Sequence, residues 1–148
     1  MISTTQSAAD IPRMMGVYHD ELRKLGRGPA GKRTALNRIV FVVADRAGKE
    51  KATGFFRERF RGLYDNWGHQ NATGLKTDSR SLDALGADHF IISEPAECVE
   101  LIERYRAFGI KKISCLMNFG GPDLEQVERS MRLFAERVKP HFAPTQCD

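Results

Sequence analysis

The chain has 148 residues, 41% of them apolar and 28% charged, with a net charge of +4, which suits one ordinary globular domain and leaves no room for two. No run approaches the roughly 20 apolar residues of a membrane span, and the N-terminus lacks the basic start and apolar core of a signal peptide, so a cytoplasmic location and no membrane partner are expected. The three cysteines, Cys98, Cys115 and Cys147, form no CxxC pair and read as reduced, mostly buried thiols, which disfavours a disulfide framework or a metal site.

Residues 1–10 are polar and read as a flexible N-terminus. Asp10 is a suitable N-cap and Pro12 fits a first helical turn. Met14, Val17, Tyr18, Leu22 and Leu25 follow helical spacing, and Gly26 stops that helix. A loop with two glycines and Pro29 leads to Ile39-Val40-Phe41-Val42-Val43, a continuous apolar run expected of a strand covered on both faces. Asp45 can cap the next helix, with Ala52, Phe55, Phe56, Phe60 and Leu63 on its apolar side. Basic residues outnumber acidic ones from Arg13 to Arg61, but they are spread over helical patterns without interleaved aromatics for base stacking. Solvated helix faces explain them better than nucleic-acid binding does.

From Tyr64 to Asp88 the periodicity breaks. A connection of this length is usually functional or mobile, and residues 64–88 read as a long insertion or lid. Then come Phe90-Ile91-Ile92, a helix with Val99, Ile102, Tyr105 and Phe108 inward, and Gly109 to end it. The third strand alternates Ile113, Cys115, Met117 and Phe119 against Ser114, Leu116 and Asn118. Its helix carries Leu124, Val127, Met131, Phe134 and Val138 at three-four spacing, and residues 143–148 form a C-terminal tail. The pattern predicts an α/β fold with parallel strands near residues 38–44, 89–93 and 112–118, each followed by a helix.

Parallel strands bring their carboxyl ends to one edge, where α/β proteins build ligand sites. The loops there are Ala44 to Lys49, Ser93 to Glu97 and Asn118 to Asp123. Gly120-Gly121-Pro122 opens the last helix, where glycines let a ligand approach the backbone or simply make the turn. Asn118 at its strand's end can meet a ligand or bond to nearby backbone. Glu94 would repel a phosphate at its helix start, so that loop reads as a turn. Among the scattered histidines His69, near Trp67, alone invites a catalytic test, and a surface position explains it more simply. No HExxH, GxSxG, Walker A or GxGxxG pattern occurs.

Asn118-Phe119-Gly120-Gly121, followed by Val127, Arg129-Ser130-Met131, Leu133-Phe134-Ala135-Glu136 and Val138-Lys139-Pro140, resembles the C-terminal end of the bacterial luciferase-like flavin-dependent monooxygenases. Arg38 to Asp45 looks like that family's strand closing with a small residue and an acid, and Ser93-Glu94 departs from the Gly-Ser-Pro or Gly-Asp-Pro expected there. The resemblance implies a partial (β/α)8 TIM-barrel, with residues 11–142 supplying three parallel βα units preceded by a helix. It also implies reduced FMN or a deazaflavin as cofactor, oxygen and a small organic substrate. Asn118, Gly120 and Gly121 would then be cofactor-binding, and Trp67 and His69 would line the substrate pocket. A full barrel takes roughly 250 residues, so the expected domain lacks the first half of the flavin site and binds little or no flavin alone. Uncovered strand edges favour a homo-oligomer or a partner chain completing the barrel. A non-catalytic α/β interaction domain on the same scaffold is the alternative, and a small doubly wound domain with an unrelated ligand stands third.

Overall fold

A computed structural model describes residues 7–28, 34–67, 90–118 and 122–142. Its elements are α1 (Ile11–Lys24), β1 (Ala35–Val42), α2 (Arg46–Trp67), β2 (Phe90–Ser93), α3 (Pro95–Ala107), β3 (Lys112–Leu116) and α4 (Leu124–Arg137). Short 3-10 turns, Ala8–Asp10 and Lys139–Phe142, flank this set. The three strands form one parallel sheet, each followed by a helix and the set preceded by one, so the βα repeat read from the periodicity is the observed fold.

The strand order is β2-β1-β3. Ile39 to Val42 pair with Phe90 to Ser93 on one side, and Ala35 to Ile39 pair with Lys112 to Leu116 on the other. β1 therefore starts earlier than its apolar run suggests, because Ala35 and Leu36 are held by β3. Consecutive strands of a barrel would put β2 in the middle and all helices on one face. Here β1 is central, with α1 and α3 packed against one face of β1 and β2 and α2 against the other.

Alternation along β1 builds the two faces. Leu36, Val40 and Val42 join Ile91 against Ile11 and Met15 of α1, Cys98, Ile102 and Tyr105 of α3, and Val138 beyond α4. Ile39, Phe41 and Val43 join Phe90 and Ile92 against Phe56 of α2 and Val127 of α4. Between the apolar residues of the first face lies Arg38, fully buried, with its guanidinium 5.4 Å from the centre of the Tyr105 ring. Its Nε donates to the Tyr105 hydroxyl at 3.4 Å and one terminal nitrogen to the Asn37 carbonyl at 3.3 Å.

The helix ends follow the sequence closely. Gly26 and Gly109 both have positive φ, 66° and 90°, the conformation that lets a chain leave a helix while satisfying its last carbonyls. After α3, Gly109 N–H donates to Arg106 and Ile110 N–H to the Tyr105 carbonyl. Thr34 then locks this turn to the start of β1: its hydroxyl donates to the Gly109 carbonyl at 2.6 Å, and its own carbonyl accepts from Lys111 and Lys112.

Four expectations are corrected. α2 continues to Trp67, so the long connection begins later than Tyr64. The side chain of Asp10 caps nothing; Ser7 caps the preceding 3-10 turn through Ala9 N–H. The buried side of α1 is Ile11, Met15 and Leu22, whereas Val17, Tyr18 and Leu25 are exposed. In α4, Leu124 and Met131 are exposed and Ser130 is buried in their place. Both helices bear more apolar residues than one sheet face can cover, and packing chose the stripe.

Candidate functional site

β1 outruns β3. Ile39 is the last residue of β1 with a partner on β3, and α4 takes over the edge beyond it. The buried Ser130 hydroxyl accepts a hydrogen bond of 2.7 Å from Val42 N–H, satisfying a strand donor that no strand reaches. A serine suits this place because its side chain is short enough for the helix to approach the backbone, and its oxygen can accept. Val43 N–H, pointing the other way, donates to the Ser93 carbonyl at 3.0 Å.

Docking α4 there leaves a cavity of about 530 Å³ at the carboxyl end of β1. Its floor is Phe41 to Asp45, one wall is the Gly48, Lys51, Ala52, Phe55 and Phe56 side of α2, and the other is the Gln126, Arg129, Ser130 and Leu133 side of α4. Each wall is a set of positions three and four apart, which helical geometry stacks on one face. The aromatic part is pre-arranged: Phe41 and Phe56 lie edge to face at 5.3 Å, and Phe55 and Phe56 at 5.6 Å. Pro122 and Asp123 close the rim from the loop before α4.

Both helix starts at the cavity are capped from within. Asp45 Oδ1 accepts from Gly48 N–H at 2.8 Å, as the sequence suggests, and Asp123 Oδ1 accepts from Gln126 N–H at 2.8 Å. The α3 start differs: Glu94 makes no side-chain cap, and Pro95 follows it. That third loop joins the first through Lys49, whose Nζ lies 2.7 and 2.5 Å from the two carboxylate oxygens of Glu97.

The two described thiols belong to the core. Burial pushes the Cys98 thiol up to about 12, opposed in part by the Ser93 hydroxyl beside it, and burial pushes Cys115 up to about 11. Thiols held this far above neutrality stay protonated and unreactive. Among the described residues no group of three or more His, Cys, Asp or Glu is placed to hold a metal ion, and no helix is long and apolar enough to cross a membrane.

Of the residues singled out from sequence, Asn118 is exposed two positions past β3, at the carboxyl edge but not in the cavity wall. Gly120, Gly121 and His69 lie outside the described residues, as does the Trp67 side chain. Trp67 ends α2, about 16 Å along the helix from Phe56 at 1.5 Å per residue and toward the amino edge of the sheet. The cavity residues Lys51, Phe55, Gln126 and Arg129 were not singled out as a site. The available signal was a helical stripe mixing polar and apolar residues directly after each of the two loops, 44–49 and 118–123, that were.

No family model matches the chain, and no curated protein matches it in sequence. Among solved structures it is similar to the crystal structure of monooxygenase RslO1 from Streptomyces bottropensis, with a TM-score of 0.69 and 19% sequence identity. The match covers 97% of this chain and 41% of that one. At that identity the likeness is one of fold, and the chain spans about two-fifths of the length of its structural neighbour.

Proposed function

We propose that this chain is an oxidoreductase domain of the flavin-dependent monooxygenase type, related to the luciferase-like enzymes and carrying only part of the flavin site. The observation that supports it most is the βα arrangement itself, shared over nearly the whole chain with a monooxygenase, together with a preformed aromatic cavity at the edge where such folds bind ligands. Reduced flavin, when bound, supplies the electrons that activate oxygen. The described residues fit an organic ligand better than the cofactor's phosphate. Both helix starts at the cavity are already occupied by carboxylates, which would repel a dianion. The reading therefore assigns the cofactor to Asn118, Gly120 and Gly121 together with a partner chain or further segment, and keeps His69 as a candidate for the substrate side.

Titration of flavin mononucleotide, followed by the quenching of its fluorescence, tests this. The expected result is weak or no binding to the chain alone. Tight stoichiometric binding, abolished by Asn118→Ala and Gly121→Val, would overturn the incomplete-site reading and make the chain a self-sufficient enzyme. A second reading, a non-catalytic α/β interaction domain, is favoured by the exposed apolar residues Leu124 and Met131 of α4. It predicts no flavin binding even with a partner that supplies the remaining strands.

A further inference from the structure

We infer that the cavity between α2 and α4 is a binding site for a flat, aromatic organic acid carrying a single negative charge. The ring follows from the floor and wall: Phe41, Phe55 and Phe56 form an edge-to-face set that offers ring faces and edges to a planar guest. The charge follows from the four ionic groups around it. Asp45 and Asp123 are engaged in capping α2 and α4 through Gly48 and Gln126 N–H. Lys51 and Arg129 line opposite walls, and among the described residues neither has a carboxylate partner. Lys51 and Arg129, one on each helix, are thus the groups left to pair with an anion, while the two carboxylates are already held at the helix starts.

The same arrangement limits the anion. A phosphate seated at a helix start takes its hydrogen bonds from the first backbone N–H groups, and at both starts one of those is spent on the protein's own carboxylate. Two nearby carboxylates also penalise a second negative charge more than the first. A carboxylate held by Arg129 in a two-pronged bond, with Lys51 as a point charge, matches what is present. That this acid is the oxidised substrate rests on the monooxygenase reading; that it binds does not.

The test uses three naphthalene probes and the whole chain: 2-naphthoate, the neutral 2-naphthamide and the dianion 2-naphthyl phosphate, followed by ligand fluorescence and calorimetry. The carboxylate should bind about tenfold more tightly than the amide, the order of one charge-assisted bidentate contact, and more tightly than the phosphate. Arg129→Ala and Lys51→Ala, both at exposed positions, should bring the carboxylate down to the amide's affinity without changing the melting temperature. Phe55→Ala should weaken carboxylate and amide alike. Equal binding of carboxylate and amide, tightest binding of the phosphate, or displacement of naphthoate by flavin mononucleotide would each overturn the assignment. Naphthoate binding with no flavin binding under any condition would leave the site standing and remove the monooxygenase reading.

Discussion

Single residues here carry consequences that their neighbours in sequence do not. Cys98 is fully buried beneath the sheet, and its thiol is raised from 9.0 to about 12 chiefly by that burial. The folded state therefore holds its proton where the unfolded chain has begun to lose it. The contribution to stability is complete below 9.0 and is lost as pH rises toward about 12. In a Cys147→Ser background, Cys98 and Cys115 should resist iodoacetamide at mildly alkaline pH and react at once in denaturant. Ready alkylation of the native protein, followed by mass spectrometry, would contradict the burial. Glycine shows the same specificity: Gly109 needs its positive φ, and a Cβ there would also press on His19 at 3.2 Å.

Between elements, the least replaceable contact joins α4 to β1. The Ser130 hydroxyl accepts from Val42 N–H in the interior, so Ser130→Ala leaves a buried donor with no acceptor. Such a loss costs about 1–3 kcal/mol, and urea denaturation should show it as a lower midpoint with an unchanged slope. A change under about 0.5 kcal/mol, the range of ordinary surface substitutions, would mean the helix does not close the strand edge. Because α4 forms one cavity wall, the same variant should also weaken naphthoate binding by more than Met131→Ala, which alters an exposed position on that helix.

At the scale of the molecule, the sheet is unevenly covered. β1 and β2 are buried on both faces, whereas Lys112, Ser114 and Leu116 of β3 face outward and exposed. Leu124 and Met131 of α4 are exposed as well, at 69% and 51%. An open parallel-strand edge and exposed apolar side chains each favour association, and we expect the chain to be dimeric or larger. Sedimentation velocity over a wide concentration range checks this, and a stable monomer throughout would count against it.

What the sequence determined by itself is local: the apolar runs that became strands, Gly26 and Gly109 as stops, Asp45 as a cap, and the alternation of Ile113 and Cys115 against Ser114 and Leu116. These are read from spacing because neighbours along the chain decide them. The carboxyl edge and two of its loops were legible for the same reason, since parallel strands must share that edge. The sheet order was not, because a parallel crossover can place the next strand on either side at the same periodicity. Nor were the buried stripes of α1 and α4, where Leu124 and Met131 lost to Ser130. Only tertiary structure set β1 at the centre, let α4 cover the strand edge that β3 leaves open, and so brought Phe55, Lys51 and Arg129 around one cavity. Arg129 is far along the chain from Lys51 and Phe55, and no local preference records which helix faces will meet.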